Sequence, residues 1–318
     1  MISTSRVKEQ LKHTVETVRP TNSNLQKIEG KVRDCFVIGN KRLLIATDRL
    51  SAFDVVLTTI PFKGQVLTQM ARHWFEKTTH IIPNHIISYP HPNVMLTQEA
   101  EILPIEVVVR GYLTGSAWRD YEAGKKVSGI ELPGGMKKSQ KFQTPLITPS
   151  TKEARGKHDI PISEQEIIDK KIVDPEIWKL TRTKALELFN FGTREAAKQG
   201  LILVDTKYEF GILKNQNQLI LADEIHTPDS SRYWISDSYQ ELFKKGEDPE
   251  MLDKEFVRRE LISMGYMGEG NPPVLTDDFR VETSLRYIQA YEKVTGKKFE
   301  PSVGDIEKSI LESIKIYL

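Results

Sequence analysis

Residues 201–232, LILVDTKYEFGILKNQNQLILADEIHTPDSSR, constrain this chain more than any other stretch. They read as two long strands around a polar turn, Asn215-Gln216-Asn217, followed by a loop dense in Asp, Ser and Arg. Folding the ribbon back about Gln216 sets Lys214 opposite Gln218 and Glu209 opposite Asp223. Their Cβ atoms would then lie about 5 Å apart, on the face that also carries Asp205, Lys207 and Gly211. Like charges so placed oppose folding unless something positive lies between them. A divalent ion accompanying phosphates meets that requirement. Tyr208, Phe210, Ile212, Ile220 and Ala222 form the opposite, packing face. Two alternatives stay open: a one-residue change in loop length would bring Glu224 into play instead of Asp223, and a charged solvent face has the same pattern.

At 318 residues the chain can bury a large core, most simply as two domains. Apolar residues at 39% and charged residues at 28% describe an ordinary globular protein. A formal charge of +1 gives no steering towards nucleic acid or an anionic membrane. Cys35 is the single cysteine, which excludes an internal disulfide framework and a multi-cysteine zinc site; in its apolar run it reads as buried filler. No apolar stretch has transmembrane length and no apolar signal segment follows Met1, so a cytoplasmic location is expected.

Along the chain, residues 1–24 form a polar N-terminal extension with an amphipathic fragment. A small β-rich domain over 25–106 follows, with a tight turn at Gly39-Asn40 and an amphipathic helix from Val66 to Lys77. Gly30-Lys31-Val32-Arg33 is short of a full phosphate-loop motif, but its glycine and two cations suit a turn over phosphates as well as a surface turn. Pro104 predicts that the strand around Glu101–Arg110 starts as an edge or a crossover. Beyond it, 107–318 reads as a larger α+β domain closed by C-terminal helices. Arg110 leaves three valines for a small-residue loop holding Ser116, where a guanidinium fork could hold an anion or a structural salt bridge. Residues 124–159 lack periodicity and read as a ligand-binding excursion or a mobile loop. Ser163 with Glu166 forms a capping box, and a helix from Asp174 stops at Gly200. Asp229, Ser231 and Arg232 crowd beside the hairpin and suit a polar, phosphorylated molecule.

Several long blocks in one order then carry a resemblance: GKVRD at 30–34, ATDRLSAFDV at 46–55, PFKGQVLTQ at 61–69, LPIEVVVRGYLTGSAW at 103–118, TPSTK at 148–152, VDTKYEFG at 204–211 and ADEIHTPDSSRYW at 222–234. From about Gly30 to Tyr291 the chain resembles the SAICAR synthetase family. That resemblance implies a SAICAR synthase-like α+β fold, related to ATP-grasp and kinase-like architectures, with ATP between a small and a large domain. It also implies ligation of L-aspartate to the carboxylate of phosphoribosyl aminoimidazole carboxylate through an acyl phosphate, with no nucleic-acid or membrane partner. By the same resemblance Gly30, Lys31 and Arg33 lie at the phosphates and Leu103 to Glu106 at the adenine. Glu209 and Asp223 match magnesium-associated acids, with Lys207 close to the phosphates. Asp54, Arg110, Ser116, Asp229, Ser231 and Arg232 match the imidazole-ribotide region, while Lys152, His158 and Asp159 are left without a role. Many relatives carry serine where Ala71 stands, which implies one altered substrate contact. The competing readings are a phosphotransferase on the same architecture and a nucleotide-responsive or nucleic-acid-binding scaffold; the first would consume no aspartate, the second would not turn over.

Overall fold

The computed structural model describes residues 2–20, 25–53, 55–152, 159–213, 216–252 and 255–318. Asp54 and His158, and Lys214 and Asn215 of the central turn, lie outside them. Helix α1 (Thr4–Gln10) is capped by Ser3. Five strands follow: β1 (Lys27–Glu29), β2 (Arg33–Ile38), β3 (Lys41–Ala46), β4 (Arg49–Ala52) and β5 (Val55–Thr59). Next come α2 (Lys63–Thr78), β6 (Ile86–His91) and β7 (Val94–Gln98). These build an antiparallel sheet in the order β1-β2-β3-β7-β6, with β4 and β5 a separate hairpin. The turn at Gly39-Asn40 forms as expected, with Ile38 paired to Lys41 and Gly39 in the left-handed region at φ +58°.

A second sheet begins three residues beyond Gln98. Its members are β8 (Glu101–Tyr112), β9 (Lys141–Ile147), β10 (Ser150–Thr151), β11 (Leu201–Leu213), β12 (Gln218–Ala222) and β13 (Ser231–Ile235). The path is β10-β8-β11-β12, with β9 also on β8 and β13 also on β11. Helix α3 (Gly115–Glu122) follows β8, and α4 (Glu164–Asp169) starts on the Ser163–Glu166 capping box. Helix α5 (Pro175–Ala197) is capped by Asp174 and leads through Gly200 into β11. The chain closes with α6 (Ser236–Lys245), α7 (Glu255–Ser263), α8 (Asp277–Thr295) and α9 (Ile306–Ile314).

One core joins the layers: Val66, Met70, Trp74 and Phe75 of α2, Leu188 and Phe189 of α5, Tyr208 and Phe210 of β11, and Tyr287 and Ile288 of α8. Ala71 belongs to this core and is fully buried, so its methyl faces packing rather than a ligand. Ile306, Ile310 and Ile314 of α9 return to the first sheet, where they pack with Val15, Val18, Phe36, Leu43 and Ile45. The N-terminal extension thus contributes Val15 and Val18 to that sheet's outer layer.

Two local expectations are corrected. Residues 124–159 are not one irregular excursion: β9 and β10 pair along β8, with Val109 opposite Ile147 and Ser150 opposite Glu106. Lys141–Ile147 is half exposed and carries Pro145, so no alternation marks it; the backbone of β8 specifies it. The early part of β8 is an edge, as expected: Glu101 and Ile102 pair with β11, while β10 reaches only Ile105 and Glu106 and β9 only Val109 to Tyr112. The proline is tolerated in an irregularity, where the pairs Glu209–Glu106 and Gly211–Ile102 leave extra β8 residues between them.

The central hairpin carries the second correction. Leu213 pairs with Gln218 and Glu209 with Ala222, one residue away from the expected register. Ile220 and Ala222 therefore share the Glu209 face, while Leu219 and Leu221 join Phe210 in the core. All four are buried, so hydrophobic alternation does not discriminate between the two registers.

Candidate active site

The acid facing Glu209 is Glu106, directly across β8 and β11. Lys207, two residues before Glu209 and so on its face, bridges them: its Nζ lies 2.5 Å from Glu106 Oε1 and 3.6 Å from Glu209 Oε1. Lys152, just beyond β10, pairs with the other oxygen of Glu209. The positive group required between opposed carboxylates is thus supplied by the protein's own lysines. Burial alone would drive the Lys207 proton off, but Glu209 and Glu106 hold its pKa well above the ordinary lysine value. Burial raises Glu106 above the usual carboxylate range, against the pull of Lys207.

Asp223 reaches the same region by a kink instead of by register. It follows β12 with φ +62°, a left-handed conformation unusual for a non-glycine residue. Arg33 Nη1 holds its Oδ1 at 2.8 Å, and Arg33 Nη2 holds Glu224 Oε2 at 2.8 Å. Arg33 comes from β2, so this fork ties the first sheet to the end of β12. Burial would raise the Asp223 pKa; Arg33, Lys207 and Lys152 reverse that and hold it below the ordinary value. Asp223, Glu209 and Lys152 line one cavity of about 190 Å³ between the sheets. Cys35 also lines it, with burial pushing its thiol up to about 11, which suits filler and not a nucleophile. A larger hollow of about 690 Å³ shares Gln98, Glu99 and Ala100 with it but holds none of the acid–lysine ladder.

Four residues back along β11, about 13 Å at strand rise, a second cluster occupies the same face. Arg110, Asp205 and Arg232 stand abreast on β8, β11 and β13. Arg110 donates through Nε to Thr148 Oγ1 at 2.8 Å, through Nη1 to Asp205 Oδ2 at 3.2 Å and through Nη2 to Ser116 Oγ at 3.0 Å. Arg232 Nη1 donates to the same Asp205 oxygen at 2.8 Å. Two guanidiniums thus share one carboxylate, beside the first turn of α3. Burial, reinforced by Arg232 against the help of Asp205, lowers the Arg110 pKa, but a guanidinium stays charged. Gly115, at φ +60°, makes room: a Cβ there would lie 2.3 Å from Arg232 Nη1.

The remaining residues take different places. Asp229 is held by Lys63 Nζ at 2.8 Å and by the Tyr287 hydroxyl at 2.6 Å. The Ser231 hydroxyl donates to Thr206 Oγ1 at 2.7 Å. Gly30 and exposed Lys31 form the turn before β2, braced by Arg49 Nη2 on the Gly30 carbonyl at 2.9 Å. Leu103 is buried in the common core. Sequence reasoning left Lys63, Thr148 and Lys152 without a role, gave Glu224 only as the alternative to Asp223, and placed Asp205 only by its alternation with Lys207 and Glu209.

Beneath both clusters, Tyr208 hydrogen-bonds His226 Nε2 at 2.5 Å, and the Tyr233 hydroxyl donates to the His226 carbonyl at 2.9 Å. Burial lowers the pKa of His226 to about 3 and of His85 to about 4. A histidine neutral in the fold but ordinary when unfolded favours the fold fully above about pH 6.5. That contribution is lost as pH falls towards 4, because only the unfolded chain takes up the proton. Denaturation midpoints measured from pH 7 to 4 are expected to fall steeply, with about two protons taken up on unfolding from these side chains. A flat profile would contradict their burial as neutral rings.

Comparison with known proteins gives the family. The model of the SAICAR synthetase family matches residues 26–273. A phosphoribosylaminoimidazole-succinocarboxamide synthase of Bacteroides thetaiotaomicron is 46% identical over 295 residues, covering 91% of this chain and 93% of that protein. The SAICAR synthase of Saccharomyces cerevisiae, solved with SAICAR, superposes with a TM-score of 0.79 at 32% identity, over 91% of this chain and all of that one. A type-2 SAICAR synthetase in complex with ADP gives 0.66 at 26% identity, over 87% of this chain and all of that one. The chain therefore belongs to the SAICAR synthetase family, the ligases that use ATP to join L-aspartate to 5-amino-1-(5-phospho-D-ribosyl)imidazole-4-carboxylate in purine biosynthesis.

Proposed function

We propose that the two clusters on this sheet face are the two ends of one reaction site. The acid–lysine ladder receives the nucleotide phosphates, and the Arg110–Arg232 pair receives the phosphate of the imidazole substrate. The observation that carries the reading is their placement on one face of β8 and β11, separated by about four strand residues. The first sheet and the Gly30-Lys31 turn would close over the nucleotide, with Leu103 to Glu106 on its adenine side. In this reading residues 25–106 and 107–318 are the two lobes, with α9 returning to the first.

A magnesium ion fits the donor set. It usually takes one or two carboxylates and completes its shell with phosphate and water oxygens. Glu209 and Asp223 offer two carboxylates on one cavity, and the described residues contain no larger acid, histidine or cysteine cluster that would form a protein cage. When bound, the ion would neutralise phosphate charge. Lys207 and Lys152 supply further positive charge beside the same carboxylates.

Chemically, a carboxylate is a poor acceptor for an amine because its oxygen leaves badly. The substrate carboxylate attacks the terminal phosphorus of ATP, ADP leaves, and the resulting acyl phosphate is attacked by the amine of L-aspartate as phosphate departs. Arg110, Arg232 and Ser116 hold the substrate phosphate, and Ser231 and Asp229 fix the adjoining loop. Catalysis rests on positioning and charge instead of on a protein nucleophile. Work in the cytoplasm fits such substrates, and no helix among the described residues is long and apolar enough to cross a membrane.

Incubation with the imidazole carboxylate, ATP, magnesium and L-aspartate, followed by mass analysis, is expected to yield the succinocarboxamide with one ADP and one phosphate per turnover. A stable phosphorylated product formed without loss of aspartate would establish a phosphotransferase instead.

A further inference from the structure

Lys63 has no function in the reading above, yet its placement is costly in three ways. Its side chain is fully buried, and an ammonium taken from water must be paired. It is the first residue of α2, the helix end where a positive charge is unfavourable. Phe62 before it adopts φ +64°, a strained conformation for a bulky residue. All three are tolerated at the point where Lys63 Nζ meets Asp229 Oδ2 at 2.8 Å. The other oxygen, Asp229 Oδ1, accepts the Tyr287 hydroxyl at 2.6 Å, and Lys63 Nζ lies 5.4 Å from the centre of the Tyr287 ring.

Three separate segments therefore meet on one carboxylate: the start of α2, the turn at residues 227–230 and α8. That turn is tight, with Ser231 N donating to the Thr227 carbonyl at 2.9 Å. Its next residues are Ser231 and Arg232, and Arg232 is half of the anion-binding pair. We infer that Lys63 and Tyr287 are positioning residues that set affinity for the imidazole ribotide by clamping Asp229 and thereby the turn that delivers Arg232. This rests on the reading of Arg110 and Arg232 as the phosphate-binding pair.

A clamp of that kind predicts a split among the substrates, which a merely structural contact does not. In the full-length enzyme, Tyr287→Phe is expected to raise KM for the imidazole carboxylate about tenfold, through loss of one hydrogen bond to a charged group. KM for ATP and for L-aspartate should stay within about twofold, as should the affinity for ADP measured by calorimetry. Lys63→Met should move the same KM further in the same direction; if that variant does not fold, Tyr287→Phe decides. An unchanged KM for the imidazole carboxylate in Tyr287→Phe, or an equal rise for all three substrates, overturns the inference. Arg232→Met separates the two levels. If it raises that KM while Tyr287→Phe does not, the clamp fails and the phosphate-binding pair stands; if neither raises it, both fail.

Discussion

Replacing Glu209 by Gln, or Asp223 by Asn, is expected to lower kcat about a thousandfold while leaving the fold intact. Removal of one preorganised charge-stabilising group from a water-poor site costs on this order. The fold should survive because Lys207 and Arg33 each have a second anion, and Lys152 is exposed to solvent. Lys207 keeps Glu106 when Glu209 is neutralised, and Arg33 keeps Glu224 when Asp223 is neutralised. Neither substitution orphans a buried charge, the event that makes broken ion pairs so destabilising. Turnover measured against magnesium concentration, alongside thermal unfolding, checks both halves. Normal turnover with normal magnesium dependence would remove the pair from the site; a collapse in melting temperature would mean that the loss of activity is only unfolding.

Arg110→Lys, nominally conservative, is expected to raise KM for the imidazole carboxylate about a hundredfold and to leave KM for ATP within about twofold. Arg110 spends three different nitrogens on three different groups, Thr148, Asp205 and Ser116. A lysine keeps the charge but brings a single nitrogen on a flexible stem, so it cannot span all three at once. Asp205 then leans on Arg232 alone, and the fork that should meet the substrate phosphate loses its fixed direction. Initial rates with each substrate varied in turn give the answer. An unchanged imidazole KM would make Arg110 a strut of the sheet and not a ligand to the substrate.

Much of the fold was legible because local chemistry and final structure agree. Gly39-Asn40 turns, Ser163 with Glu166 starts a helix, Asp174-Pro175 starts another and Gly200 stops it, each for reasons contained within a few residues. The Asp205, Lys207 and Glu209 alternation likewise announced a charged strand face. Failures occurred where a neighbour far along the chain decides. Lys141–Ile147 becomes a strand because β8 offers its backbone.

The chemical inventory was therefore settled by the chain alone: which acids, lysines and arginines exist, and that alternation puts Asp205, Lys207 and Glu209 on one side of a strand. What they face was settled only by three-dimensional packing. With Ile220, Ala222, Leu219 and Leu221 all buried, the hairpin register has no hydrophobic signature, and the tertiary structure chose the one that sets Glu209 beside Ala222. Glu106, from a strand about a hundred residues earlier, became the opposed acid. Asp223 reached the same cavity through a left-handed kink that Arg33 of the other sheet holds in place. Charges act through space, and distance in space is what a linear order of residues does not contain.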